Sequence, residues 1–311
     1  MNALRVLVAI PEAALVLALP PMLLSVITKT KAWFGGRTGP PWLQPYFDLH
    51  KLIQKNAVYS KTTTWIFRAG PIVNLAALLT AATLIPVFSN QSLFGFPGDV
   101  ILVAYLFALG RMFTVLAAMD TGSSFEGMGA SREVTFGTMS EPAFFLSLVV
   151  MAVATKSLQL DHMMGPMLAA EWRIAGPAMV LVVGALGIVL LTETCRVPVD
   201  DPNTHLELTM IHEVMVLDHS GPEFAFITYG AALKFTLLGA VLLHAALPHS
   251  DRVYWIDPLI RALELLILAG IVGVIESVIA RLRLNRVPLL LAGATVLASI
   301  AVVLVFTRRT A

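Results

Sequence analysis

Eight long apolar stretches govern what this chain can fold into. They run over residues 3–27, 69–88, 98–119, 134–155, 176–194, 223–247, 256–280 and 287–306. A helix that spans a membrane needs roughly 20 predominantly apolar residues, because the hydrocarbon core is about 30 Å thick and a helix rises about 1.5 Å per residue. Lipid offers no partner to a free backbone amide, and these continuous runs lack the alternation of barrel strands, so all eight are expected to be helices. The 311-residue chain is 57% hydrophobic and only 13% charged, too little polar surface for a water-soluble globule of that length. The expected fold class is an all-α integral membrane protein with about eight transmembrane helices, a single polytopic domain over 1–311.

Composition excludes several functions. A net charge of +1 gives no basic field with which to hold nucleic acid. The single cysteine, Cys195, permits neither an intrachain disulfide nor a four-cysteine zinc or iron–sulfur site on this chain alone. Arg5 ahead of an apolar run gives the first stretch the look of a secretory signal. Pro11 and Glu12 interrupt that run, however, and Lys29 and Lys31 follow it as a stop, so a retained first helix is expected. No phosphate-binding glycine loop, nucleophile motif or internal repeat is visible, which weakens a transporter built from inverted halves.

Eight spans put both termini on one side. The loop between the first two spans holds Lys29, Lys31, Arg37, Lys51, Lys55, Lys61 and Arg68, and its face as a whole carries twelve Lys and Arg against six on the other. Positive charge is retained on the cytoplasmic side of a membrane. The main loops are therefore expected to be cytoplasmic and both termini to lie on the outer side of the inner membrane. The first loop is about forty residues long, a length that is usually functional or disordered, and it is too rich in Trp, Phe and Tyr for disorder. Its segment 35–52 joins Gly and Pro turn signals to an amphipathic tail in which Leu49, Leu52 and Ile53 share one helical face and Asp48, Lys51 and Lys55 the other. Such a segment fits a short interfacial helix roofed by a partner, or a charged loop lying on the membrane surface; composition leaves both open.

This loop also carries a family resemblance. Arg37-Thr38-Gly39-Pro40-Pro41, Gln44-Pro45-Tyr46-Phe47-Asp48 and Lys51-Leu52 resemble the first cytoplasmic loop of the membrane subunit shared by respiratory complex I and the energy-converting nickel–iron hydrogenases. A stronger match is Glu193-Thr194-Cys195-Arg196-Val197-Pro198-Val199-Asp200-Asp201-Pro202, followed by Thr204-His205-Leu206-Glu207-Leu208 and Ile211-His212-Glu213, which is similar to the formate hydrogenlyase subunit 4 branch in particular. A third runs from Gly129 to Pro142, with Arg132 and the pair Glu141-Pro142. The resemblance covers essentially the whole chain, including the eight spans. Complex I relatives usually read Gly-Pro-Asn-Arg in the first loop, where Gly39-Pro40 here continues into Pro41-Trp42. That departure favours a hydrogenase partner over a quinone pocket. Asn56 stands where an acidic residue is common in relatives, which leaves the chemistry of the loop open.

The resemblance implies a membrane-anchoring and ion-coupling subunit of a group 4 nickel–iron hydrogenase complex such as formate hydrogenlyase. Its partners would be hydrogenase large and small subunits, iron–sulfur subunits and antiporter-like membrane subunits. The nickel–iron centre and iron–sulfur clusters would lie on those chains, and this one would bind no cofactor. Arg37, Gly39, Pro40, Gln44, Pro45, Asp48, Lys51, Arg196, Asp200 and Asp201 are the expected partner interface. Two alternatives are a quinone-binding subunit of a complex I type dehydrogenase and a transporter acting alone.

A charged group within a span costs about 2.5–3.5 kcal/mol on insertion scales, so each one is a functional candidate. A proton path needs titratable groups on several helices, linked by water. Glu141, Glu193, Glu207, Glu213, Glu223 and Lys234 are the expected ion-path residues. Glu264 follows Arg261 by three residues, the spacing of an intrahelical ion pair. Glu276, near Arg281, is either a path residue or a solvated helix end, and Glu12 follows Pro11 near a membrane face. Glu223 and Lys234, eleven residues apart, share a face about 16 Å apart and cannot pair directly, so Lys234 is expected to meet an acid from a neighbouring helix, as a path residue or a buried counter-charge. Arg111 stays open between the same roles. His212-Glu213 begins like a zinc-protease motif, but Val216 stands where the second histidine belongs, so no metal site is expected there. Cys195 reads as a small residue packed at a helix end.

Overall fold

The computed structural model describes residues 3–200, 210–248 and 256–310, and all regular structure among them is helical. In chain order the helices are α1 (Ala3–Phe34), α2 (Gln44–Ile53), α3 (Trp65–Leu84), α4 (Asp99–Asp120), α5 (Ser124–Thr155), α6 (Leu160–Met163), α7 (Pro166–Glu193), α8 (His212–Met215), α9 (Gly221–Ala246), α10 (Asp257–Val278) and α11 (Val287–Thr310), the last entered through a 3-10 turn at Leu284–Arg286. Eight of these are long and apolar enough to cross a membrane. They coincide with the eight apolar stretches. The main differences are that α5 starts at Ser124 rather than 134 and α7 at Pro166 rather than 176. Their first turns carry Glu126, Arg132 and Glu133, or Glu171 and Arg173, so hydropathy fades there while the helix continues.

Local chemistry sets the ends. Proline occupies the first turn of α2, α7, α9 and α10, where its missing N–H costs nothing. Thr64 caps α3 by accepting from the Ile66 amide, and Asp120 at the end of α4 accepts from the Thr64 and Phe67 amides at 2.6 and 3.2 Å. One carboxylate thus ties the start of one span to the end of the next. In α7 the backbone leaves helical geometry at Ala175, just before Pro177, and the helix kinks.

Helix α9 forms the centre of the bundle: 72% of its apolar window is buried inside the protein, against 28% for α1 and for α11. The α3–α4 hairpin packs closely because Gly70 faces Ala117 and the Phe113 carbonyl, leaving no room for a side chain. Polar side chains bind the helix ends at both faces. On the face carrying the first long loop, buried Glu276 receives Lys31 at 2.8 Å and Arg196 at 3.1 Å, and Arg281 meets Asp200 at 2.8 Å. On the opposite face His244, fully buried, lies 2.7 Å from the Pro86 carbonyl and 3.1 Å from Arg261, which pairs with Glu264 at 2.9 Å as its spacing requires.

The Gly70 contact has a measurable consequence. Gly70→Ala places a methyl carbon 2.6 Å from the Ala117 methyl, and overpacking of this kind costs about 1–3 kcal/mol. Thermal unfolding of the detergent-solubilised protein is expected at a lower temperature than wild type, whereas Gly270→Ala, whose added carbon meets no neighbour within 4 Å, is expected to leave the midpoint unchanged.

Candidate functional site

Four helices bring charged side chains together in the interior of the bundle. Arg111 stands twelve residues into α4, about 18 Å along the helix from Asp99. Its Nη1 reaches Glu141 on α5 at 2.9 Å, and its Nη2 reaches both oxygens of Glu193, at the end of α7, at 2.7 and 2.8 Å. Lys234 on α9 donates to Glu193 Oε2 at 2.8 Å, and Ser140 donates to Glu193 Oε1 at 2.6 Å. Both oxygens of Glu193 are therefore occupied by donors, two of them cationic, in a site where a lone charge is prohibitively costly. Glu193 is the ionised anchor of this arrangement. Glu141 has Arg111 as its one ion-pair partner among the described residues, and its side chain stays 39% exposed. It is the carboxylate best placed to exchange a proton.

The sequence builds this site with small residues and an early helix end. On α5, Glu133, Gly137 and Glu141 recur every four residues and so share a face. A Cβ at Gly137 would overlap the Arg111 guanidinium, so only glycine lets that group lie against α5. After Glu193 the chain leaves the helix through Cys195, whose φ is 51°. The loop that follows folds back into the protein with Val197, Val199 and Asp200 buried. Irregular backbone at this depth is tolerated where protein surrounds it. Asp200 organises it: one oxygen accepts from the Ile211 and His212 amides at 3.0 and 3.3 Å while the other holds Arg281. The buried Cys195 thiol points at Glu133, 3.8 Å from Oε2, and burial keeps it protonated by raising it well above its ordinary value.

Two cavities meet at this cluster. One, of about 50 Å³, lies among Asn74, Glu133, Cys195, His212 and Lys234. The other, of about 420 Å³, runs between α4 and α5 under mostly apolar side chains and ends at Glu141. Arg111 and Glu193 line both.

A second polar group sits where the first loop meets α9. Tyr59 donates to Glu223 Oε1 at 2.7 Å with Arg68 stacked 4.0 Å over its ring, and that hydrogen bond to a carboxylate holds the phenol above its usual range. His219 stacks on Phe67 at 3.9 Å, with Nδ1 3.5 Å from Glu223 Oε2. Burial pushes this imidazole down to about 4, because desolvating the charged ring outweighs one carboxylate at a distance longer than a good hydrogen bond.

The structure thus joins three of the expected ion-path residues, Glu141, Glu193 and Lys234, and sets Glu223 apart with Tyr59 and His219. Glu213 is half-buried on α8, where its neighbour His212 lines the small cavity. Glu207 and Asp201 lie outside the described residues. Of the expected interface, Arg37, Asp48 and Lys51 are exposed, and Gly39, Pro40, Gln44 and Pro45 are partly so. Arg196 and Asp200 are turned inward, one to Glu276 and the other, 1% exposed, to Arg281, so they shape the loop from within rather than present charge on its surface. Glu276 is likewise no solvated helix end. Arg111, Glu133, Gly137, Ser140 and Asn74 were not singled out as site residues; the four-residue recurrence on α5 opposite an arginine within a span is the signal that carries them. Among the described residues no three His, Cys, Asp or Glu side chains gather as a metal site.

A family model described as NADH dehydrogenase matches residues 6–307, and the chain belongs to that family. It is 31% identical over 284 residues to hydrogenase-4 component C of Escherichia coli K12, covering 89% of each chain, and 30% identical over 292 residues to formate hydrogenlyase subunit 4 of the same organism, covering 92% of this chain and 94% of that one. Its fold is also that of a chain in the membrane-bound sulfane sulfur reductase, an archaeal respiratory membrane complex, with a TM-score of 0.79, 19% identity, and coverage of 96% of this chain and 98% of that one. The protein is accordingly a multi-pass membrane protein of the complex I and hydrogenase type.

Two outcomes follow from this geometry. Glu193→Gln strands Arg111 and Lys234 without their shared anion, at a cost of about 3–5 kcal/mol. Thermal unfolding is expected to show that loss, and the double variant Glu193→Gln/Lys234→Met should be less destabilised than the two single effects added together. For His219 the folded value near 4 lies below the unfolded 6.5, so the unfolded chain binds the extra proton in between. The stability due to neutral His219 is complete above about pH 6.5 and lost as the pH falls towards 4. His219→Gln should flatten the pH dependence of the unfolding midpoint across that window, and an unchanged slope would refute the assignment.

Proposed function

We propose that the chain is the membrane-anchoring and ion-coupling subunit of a group 4 nickel–iron hydrogenase complex of the formate hydrogenlyase type. The observation that carries the coupling role is the buried Glu141–Arg111–Glu193–Lys234 cluster: two carboxylates and two cations linked inside an apolar bundle. The names of the relatives carry the hydrogenase assignment, since two hydrogenase-complex subunits are matched over about nine-tenths of the chain. A quinone-binding role in a complex I type dehydrogenase has less specific support, from family membership alone.

In this reading the nickel–iron centre and iron–sulfur clusters reside on hydrogenase large and small subunits and iron–sulfur subunits, with antiporter-like membrane subunits alongside in the bilayer. The face of the first loop is cytoplasmic, as its excess of Lys and Arg requires, and both termini are outside. The hydrogenase arm docks on the exposed residues Arg37, Asp48 and Lys51 and on the aromatic rim of Trp33, Trp42, Phe47 and Trp65. Charge changes in that arm reach the cluster through the inward-facing Arg196–Asp200 loop, which Asp201 and Glu207 continue, and through Tyr59 and Glu223. Glu141 exchanges protons with the larger cavity, and Glu193 with Lys234 holds the charge balance.

Affinity purification from native membranes in mild detergent tests the reading. Nickel–iron and iron–sulfur subunits with hydrogen evolution should co-purify; quinone reduction without a hydrogenase, or a lone chain, would overturn it. In proteoliposomes, Glu141→Gln is expected to keep hydrogen evolution while reducing ion uptake per hydrogen formed by about tenfold or more, the effect typical of losing one proton-transfer group.

A further inference from the structure

We propose that the Arg111–Glu193 contact makes the buried cluster selective for protons over alkali cations, with Arg111 as the residue that excludes them. This rests on the ion-path reading above and supplies its specificity. The polar cavity of about 50 Å³ and the larger one of about 420 Å³ have Arg111 and Glu193 in common, so the pair is the wall between them. Anything that passes from one to the other crosses at that contact.

An alkali cation crossing there needs oxygen ligands to replace its water. The two Glu193 oxygens already receive Arg111 Nη2, Lys234 Nζ and Ser140 Oγ, at 2.6 to 2.8 Å. No cluster of three acidic, His or Cys side chains stands nearby among the described residues. The ion would also meet two fixed positive charges at contact distance in a medium where water screens them poorly. Arg111 cannot relieve that repulsion by losing its proton, because a guanidinium remains charged in proteins. Nor can it swing aside easily, since it is bound to Glu141 on one side and Glu193 on the other and lies in the space that Gly137 leaves on α5.

A proton faces none of these demands. The Lys234 ammonium can pass a proton to Glu193 Oε2 across their 2.8 Å hydrogen bond. This leaves a neutral amine, which takes its replacement from the small cavity, whose volume admits roughly three water molecules. Glu193 then releases its proton to the larger cavity, which Glu141 also lines, and returns to its ionised state. One proton enters, one leaves, and the guanidinium stays in place throughout.

The test uses the intact complex in proteoliposomes, driven by its own redox reaction, with inward proton movement and uptake of radioactive sodium read in parallel as a ratio. Arg111→Gln is expected to raise the sodium-to-proton ratio about tenfold or more, a conservative figure for removing a unit charge at contact distance, while Arg111→Lys keeps it near the wild-type value. Gly137→Ala preserves every charge but displaces the guanidinium, so it should raise the ratio too, and it serves if Arg111→Gln does not assemble. A ratio unchanged in Arg111→Gln, or in Gly137→Ala where that variant stands in for it, while proton movement still depends on Glu141, would overturn the selectivity role alone. Proton movement indifferent to Glu141→Gln would overturn the ion-path reading, and this inference with it.

Discussion

A single carboxylate between two cations holds the centre of this protein together. Glu193 is shared by Arg111 and Lys234, and much of the unusual local structure serves that sharing. Helix α7 ends at Glu193, so the carboxylate stands at a helix terminus rather than along a helix flank. Gly137 removes a side chain from α5 where the guanidinium must lie, and the loop after Cys195 turns inward to close the space beneath. Each feature would be a defect in an apolar bundle without buried charge. With it, each one lowers the cost of keeping ions where lipid and protein screen them poorly.

A second tier of ion pairs fastens the helix ends on the face that carries the long loop. Lys31, Arg196 and Glu276 join α1, the 194–200 loop and α10, while Asp200 and Arg281 join that loop to the chain beyond α10. Tyr59 and Glu223 join the first loop to α9. The exposed aromatic residues of the first loop therefore sit on a scaffold whose fastenings are adjacent to the residues leading to the cluster. A load applied by a partner at the rim is transmitted through packed and paired groups, and long-range coupling requires such contiguous contacts.

The architecture was legible in the sequence because hydrophobic length is a local property: twenty apolar residues in succession identify a span without knowledge of its neighbours. The Arg261–Glu264 pair was equally legible, since three residues along a helix fix its geometry. The extra turns of α5 and α7 were not, because a helix can emerge from the apolar layer while its hydrogen bonds continue. Lys234 was expected to find an acid on another helix, but Glu193 lies 41 positions away, and nothing local specifies which helices become neighbours. Arg196 and Asp200 show the clearest failure. Charged residues in a loop normally face water, and sequence alone does not reveal a loop that turns back into the protein and spends its charges there.

The cluster's neutrality has a dynamic consequence. With Arg111 and Lys234 positive and Glu141 and Glu193 negative, the four groups balance, and changing the protonation of any one leaves an excess that the surroundings cannot screen. Protonating Glu193 leaves two cations sharing a single remaining carboxylate, so the state is relieved only if Lys234 gives up a proton or the Arg111 guanidinium shifts its weight towards Glu141. Either relief moves charge along the same line, between the small cavity and the large one. The arrangement therefore favours concerted change over independent titration of its members. A device that converts a redox event on one side into ion movement on the other needs that property, and here it follows from how few charges there are and how closely they are held.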